Sequence, residues 1–290
     1  MAAIDPRLRV GSVKLAVSDL PRSADFYERV LGLPAIARDE HSARLGHDHA
    51  HPELVLEQIE PTATPLPPGA TGLFHVAWLH PSRAALAESV RRVARAHWPF
   101  DGASDHGVSE AVYLSDPDGL GIEIYADRPR ERWQQAVDGL GVQMVTLPLD
   151  LDDLLAQFPG EPAASVAPGT HVGHVHLKVS DVPRAAAFYR DALGFRQQAE
   201  LPSAAFLAAG GYHHHVGVNS WQSRGAGPAP DSAPGLRLVD FQLGDAAALD
   251  ALERTLADAP AAAQAGVRRS GEHELSLRDP DGLLLSFRHD

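Results

Sequence analysis

Sixteen histidines and no cysteine stand among the 290 residues of this chain. Side chains can therefore bind a metal here only through imidazole and carboxylate, since disulfides and thiolate sites are both excluded. Three residues stand out for such a role: His75, Glu123 and His174. Two imidazoles and one carboxylate, with other coordination positions open, suit Fe(II) that activates oxygen, and also Mn(II) or Zn(II). One carboxylate on a divalent ion leaves a net positive site, ready for an anionic chelating substrate. Taken singly, each residue reads equally well as a core histidine or a solvated strand carboxylate. A second concentration is GYHHHVGVNSW, residues 211–221, where His213, His214 and His215 run into an apolar alternation that reads as a strand.

The three candidates gain weight from the elements that must carry them, because the chain repeats itself. VGSVKLAVSDLPRSADFYERVLGL begins at Val10 and VGHVHLKVSDVPRAAAFYRDALGF at Val172, and the two align without gaps. They share Gly11/Gly173, Asp19/Asp181, Phe26/Phe188, Tyr27/Tyr189 and Gly32/Gly194. Each reads as an alternating strand, then Ser-Asp-x-Pro-Arg as a helix start, then an amphipathic helix ending at Leu-Gly. A fainter echo relates GLFHVAWLHPSRAALAE from Gly72 to GLRLVDFQLGDAAALDALE from Gly235, and SDPDGLGIEIY (115–125) to RDPDGLLLSFR (278–288). The Asp-Gly pairs signal tight turns between strands. Four units of strand, helix and several strands follow, over 8–62, 70–127, 170–222 and 233–290. A Pro-rich stretch from Pro61 to Pro68 joins the first two, and a connector over 128–169 carries the short amphipathic piece LDLDDLLAQF.

The repeat supplies an internal control: structural residues should recur in every copy, whereas chemical residues need not. The opening strands place Ser12, His75, His174 and Leu238 in register, and the closing strands place Glu123 opposite Ser286. Two histidines and one carboxylate survive. Their counterparts Ser12, Leu238 and Ser286 cannot make a comparable site.

Bulk properties exclude other classes. Hydrophobic residues at 44% and charged residues at 22% are the balance of a globular protein with a sizeable core. A formal charge of -13 with no basic block argues against a nucleic-acid surface. The opening MAAIDPRLRVGSV lacks the apolar core of a signal peptide, and no run of about 18 apolar residues offers a membrane span. A cytoplasmic protein is expected.

The double motif HVHLKVSDVPRAAAFYRDALGF and SDPDGLGIEIYADRPR resembles the vicinal oxygen chelate superfamily, built from paired βαβββ modules. HGVSEAVYLSDPDGLGIEIY (106–125) is similar to the extradiol catechol dioxygenases within it, and the chain with GGYHHHVGVNSW and ADRPRERW resembles the CatE-type catechol 2,3-dioxygenase group. The resemblance implies an α+β fold of four βαβββ modules arranged as two domains, 8–127 and 170–290, joined by the connector 128–169. It implies Fe(II), with Mn(II) able to replace it, acting on a small aromatic diol and O2. It also carries the metal-ligand roles onto His174, His75 and Glu123. In the best-known extradiol enzymes all ligands lie in the C-terminal half. Here the triad is complete only if the second module pairs with the third, which leaves the first and fourth as an empty counterpart. Module exchange between chains is known in dimeric members, and exposed module edges allow a homodimer.

The family's acid–base histidine falls on His214 by ungapped match, whereas counting from Gly211 gives His215. Strand alternation puts His214 on the opposite face from His213 and His215. By resemblance Tyr113 hydrogen-bonds a catecholate oxygen, and His106 donates toward bound substrate or oxygen. The fourth module has Arg269 and Ser276 at those positions. His215 and Trp221 are candidates for lining the substrate pocket, although Trp221, like Trp78, reads equally as a core aromatic. His80, His171 and His176 read as structural or surface residues, with His176 on the face of His174. Two other readings remain open: a metal-dependent lyase or isomerase of glyoxalase type, and a non-enzymatic protein that sequesters an aromatic drug.

Overall fold

A computed structural model describes residues 2–49, 51–60, 62–136, 141–262 and 265–289; Pro61 of the Pro-rich stretch and positions 137–140 of the connector lie outside them. The first module comprises β1 (Arg9–Val17), α1 (Leu20–Phe26), β2 (Ala35–Arg38), β3 (Ser42–Leu45) and β4 (Leu54–Gln58). The second has β5 (Gly72–His80), α2 (Arg83–Arg95), β6 (Gly102–Asp105), β7 (Ser109–Ser115) and β8 (Gly121–Asp127), and the connector carries α3 (Leu151–Ala156). The third has β9 (His171–Lys178), α4 (Val182–Ala187), β10 (Arg196–Leu201), β11 (Ala204–Ala208) and β12 (Val216–Asn219). The fourth has β13 (Gly235–Gln242), α5 (Ala246–Asp258), β14 (Arg268–Ser270), β15 (Glu274–Arg278) and β16 (Leu284–Arg288). The fold is α+β.

Local chemistry explains the helix starts. The Asp19 and Asp181 carboxylates accept from the Arg22 and Arg184 amides, and a proline occupies the first turn of α1 and α4, where its missing N–H has no partner to lose. Ser82 and Asp245 cap α2 and α5 in the same way.

Strand pairing cuts across the sequence halves. One eight-stranded sheet runs β14-β15-β16-β13-β1-β4-β3-β2 and joins the first module to the fourth. The other runs β10-β11-β12-β9-β5-β8-β7-β6 and joins the second to the third. Side chains hold each sequence half together in a different way. Tyr27 donates to Asp116 and Tyr189 to Asp279, each at 3.1 Å. The Ser18 amide donates to Asp118 at 2.8 Å and the Ser180 amide to Asp281 at 3.1 Å. The repeated Ser-Asp, Phe-Tyr and Asp-Pro-Asp-Gly motifs are thus the two ends of one polar joint, made once in each half. Backbone ladders unite modules one and four, and two and three; these joints unite one with two, and three with four.

The second sheet has two unlike faces. Val76, Trp78, Ile122 and Ile124 alternate onto the face that packs in the main core with Leu86 and Val90 of α2. His75, Ala77 and Glu123 occupy the opposite face by the same alternation. Bulges flank this stretch of the central β5–β9 pair. One leaves Phe74 as the extra residue beside His75, and the other leaves Gly173 beside His174. A Cβ at Gly173 would lie 1.9 Å from the Tyr125 hydroxyl, so the repeated glycine makes room for a buried tyrosine.

Candidate metal centre

His75 and His174 come from β5 and β9, which run antiparallel, and Glu123 from β8, parallel to β5. Ala77 is the common neighbour, paired with His174 on one side and Glu123 on the other, with His75 two residues back on the same face. One ligand atom from each of the three lies within 4.8 Å of the others, and all three residues are buried. His75 Nε2 is 3.0 Å and His174 Nε2 3.5 Å from Glu123 Oε2. Neither contact has hydrogen-bond geometry, and both nitrogens are left buried without a partner. Buried polar atoms without partners are rare and costly. Two such nitrogens crowding a carboxylate are a donor set that fits a divalent cation.

The protonation states agree with that use. Burial pushes Glu123 up, but the fields of His174 and His75 overcome it and hold the carboxyl well below the usual range. Burial pulls His174 down to about 4, against the opposing pull of Glu123. At neutral pH the pair is carboxylate and neutral imidazole, the forms in which these groups ligate metals.

The first sheet carries the same registers without the two histidines and the glutamate. Ser12 pairs with Asp240, and Asp240 with Ser286, as His174 pairs with Ala77 and Ala77 with Glu123. Leu238 stands where His75 does. Asp240 forms an ion pair with Arg288 at 2.7 Å.

A cavity of about 330 Å³ is lined by His75 and Glu123 of the triad and by His214, whose ring packs on His174. Its apolar and aromatic wall includes Phe74, Val108, Phe206 and Trp221. His106 and Tyr113 stand together on one side: the Tyr113 hydroxyl lies 2.6 Å from His106 Nε2, while His106 Nδ1 lies 2.8 Å from the Val145 carbonyl. Since a carbonyl only accepts, His106 carries its proton on Nδ1 and Tyr113 donates to Nε2. Burial, and then Glu123, push the Tyr113 phenol up, so it stays protonated. Trp221 sits at the mouth with 51% of its surface exposed, whereas Trp78 is a core residue. Sequence reasoning missed the contribution of the connector, whose Met144, Val145 and Thr146 line the cavity. It also left His176 uncommitted; that residue is another wall of the cavity, as its shared face with His174 signalled. His80 is structural, bridging the Trp78 carbonyl and Ser89.

The histidine run departs from expectation. It is not strand: β12 begins at Val216, after a turn in which Gly210 and Gly211 take φ of 57° and 70°. Alternation therefore does not govern it, and His213 and His214 are neighbours, with Nδ1 atoms 2.7 Å apart. The His214 ring centroid lies 4.0 Å from that of His174, and His214 lines the cavity. His215 does not. Its Nδ1 accepts from the Ala209 amide at 3.2 Å, and it lines a separate cavity with Tyr212 and Arg130. The expected substrate contact by His215 is thereby corrected, because the turn aims its ring away from the metal side. Burial holds His214 well below its ordinary value and His215 at about 3.

The model of the Glyoxalase/Bleomycin resistance protein/Dioxygenase superfamily matches residues 9–124 and 171–287. The chain is 43% identical over 239 residues to the catechol-2,3-dioxygenase of Bacillus subtilis (strain 168), covering 81% of this chain and 83% of that one. It is 27% identical over 135 residues to the lactoylglutathione lyase of Escherichia coli O157:H7, covering 43% of this chain and 97% of that one. Among solved structures, glyoxalase I from Zea mays superposes with a TM-score of 0.57 at 16% identity, covering 97% of this chain and 92% of that one, which is a likeness of fold. Among the described residues, no helix is long and apolar enough to cross a membrane.

Proposed function

Because the chain belongs to the glyoxalase/bleomycin resistance protein/dioxygenase superfamily, we propose that its buried His75–Glu123–His174 cluster is the centre of an extradiol dioxygenase acting on a catechol. The observation that carries this reading is the triad, with two nitrogens lacking hydrogen-bond partners, whose His75 and Glu123 line a cavity walled by aromatic and aliphatic side chains. His75, His174 and Glu123 would hold Fe(II), with Mn(II) an alternative occupant. When bound, the ion supplies a charge that acidifies two vicinal hydroxyls and a place where oxygen and catechol are adjacent.

The chain's own residues do the rest. Phe74, Phe206 and Trp221 offer flat apolar contact to the ring. The Tyr113 hydroxyl can turn from His106 to a substrate oxygen without a new proton, since His106 Nδ1 stays on the Val145 carbonyl. His214, buried and neutral, takes a hydroxyl proton and later returns it as the ring opens beside the diol rather than between its oxygens. Paired modules two and three form this site within one chain, so a homodimer is a further assembly and not a requirement for the triad.

The glyoxalase-type alternative is weaker on charge. A glutathione adduct carries two carboxylates, yet among the described residues that line the cavity there is no lysine or arginine. The deciding experiment is anaerobic Fe(II) loading, followed by oxygen uptake with a series of catechols while the visible spectrum is recorded. Stoichiometric uptake with a coloured ring-opened product, lost in His174→Ala, supports the proposal. Metal binding without oxygen consumption across the series would exclude it.

A further inference from the structure

Behind His214 runs a chain of hydrogen bonds that the ring-opening chemistry does not by itself require. His214 Nδ1 is 2.7 Å from His213 Nδ1, and His213 Nε2 is 2.9 Å from Asp127 Oδ1. The His213 side chain is 0% exposed, and its ring packs against Tyr212, tilted by 34° with centroids 4.0 Å apart, and lies 5.4 Å from Trp133. The same Asp127 oxygen accepts from the Tyr212 hydroxyl at 3.2 Å, and Tyr212 and Tyr125 join their hydroxyls at 2.8 Å. Asp127 is half-buried and lines a second cavity, of about 280 Å³, with Arg130, Tyr212 and His215. Among the described residues, none lines both this cavity and the one beside the triad.

From this geometry we infer that Asp127 is a positioning residue that, through His213, holds His214 in the tautomer protonated on Nδ1 with Nε2 bare. A carboxylate only accepts, so the proton between Asp127 and His213 sits on His213 Nε2. In a neutral imidazole the other nitrogen then has a lone pair, so His213 Nδ1 accepts and His214 Nδ1 donates. One proton lies in each gap, and none is left for His214 Nε2. The ring therefore waits as a base. When Nε2 takes a hydroxyl proton from the diol, an O–H bond breaks and an N–H bond forms. The resulting imidazolium is still hydrogen-bonded through His213 to the carboxylate. The inference rests on the reading of His214 as the acid–base group, and it assigns the unexplained first histidine of the run.

The test uses the full-length protein labelled with 15N-histidine, its two signals assigned through His213→Gln and His214→Gln. In the metal-free wild type, His214 should be protonated on Nδ1 and His213 on Nε2. Asp127→Asn, whose amide can donate as well as accept, should populate the reverse tautomers. In the Fe(II)-loaded enzyme it should lower kcat by about 10- to 100-fold, the range for partners that orient metal-site histidines, with KM and metal content within about twofold. Asp127→Glu should restore the wild-type tautomers and part of kcat, which a merely structural role would not produce. A wild-type His214 protonated on Nε2, or a doubly protonated His213, overturns the proposal. So does an Asp127→Asn variant with unchanged tautomers and kcat. If the wild type consumes no oxygen with any catechol, the dioxygenase reading fails while the nitrogen spectra still decide the tautomers.

Discussion

Replacing Glu123 by glutamine should separate the metal-free protein from the metal-loaded one. In the absence of metal, Glu123 is a carboxylate with a side chain only 4% exposed, held between two imidazoles that do not hydrogen-bond it. Removing the buried charge relieves its desolvation but also forfeits the fields of His174 and His75 that hold the carboxyl low, so each protein is read against its own metal-free baseline. Metal binding should suffer, since the site loses its one negative ligand. Losing a group that merely orients a ligand costs 10- to 100-fold in affinity, so about 100-fold is a lower bound for the ligand itself. A ligand at 1,000 times its Kd stabilises by about 4 kcal/mol, and at 10 times by about 1.4 kcal/mol. The variant should thus lose at least about 2.7 kcal/mol of metal-induced stability. At roughly 2 to 4 °C per kcal/mol, that is a Tm gain smaller by about 5 to 11 °C. The assay is thermal unfolding under air with and without Mn(II), beside titration calorimetry. Equal Mn(II) affinity and equal Tm gains in wild type and variant would refute the assignment of the centre.

Three further outcomes follow from the geometry. His214→Gln should keep metal affinity but lower kcat by about 10² to 10⁴, the usual worth of a positioned acid–base group; an unchanged turnover in oxygen-uptake assays would remove His214 from the chemistry. Gly173→Ala would put a Cβ 1.9 Å from the Tyr125 hydroxyl, so denaturant titration should find it about 1 to 3 kcal/mol less stable, and wild-type stability would mean that Tyr125 moves freely. Acid should destabilise the metal-free protein. Burial lowers His80 and His174 to about 4 and His215 to about 3, against 6.5 unfolded. The stability these neutral histidines contribute is present above pH 6.5 and is lost as pH falls through 4. Shifts of that size correspond to about 3 kcal/mol each for His80 and His174 and about 5 kcal/mol for His215. Asp116 and Asp279, raised by burial to about 6, act in the opposite sense as pH falls through 6. They are fewer and less shifted, so unfolding free energy measured from pH 7 to 4.5 should fall, and a flat or rising profile would contradict the burial argument.

The sequence by itself determined the modules and the chemistry they could carry. Strand alternation and helix caps are local, so each βαβββ unit is legible from its own residues. The internal repeat supplied the reference against which His75, Glu123 and His174 stood out from Ser12, Leu238 and Ser286. The repeated Tyr27/Tyr189 and the turn aspartates were visible as motifs too, but their partnership was not, because each bond spans about 90 residues.

Only the tertiary structure decided which modules share a sheet. The sequence could say only that the triad requires the second module to pair with the third; the ladders that join β5 to β9 and β1 to β13 across the connector are seen in the tertiary structure alone. Strand edges are chemically alike, so pairing is selected by how whole modules bury their faces, and a local pattern cannot encode it. The histidine run illustrates the same limit on a smaller scale. Alternation predicts the facing of a side chain only where the backbone is extended, and two left-handed glycines curl the chain just before His213. That turn sends His214 toward the metal side, His213 toward Asp127, and His215 into a different cavity. Residue types and spacing named the three candidates; the long-range packing of two modules brought their ligating atoms within 4.8 Å of one another.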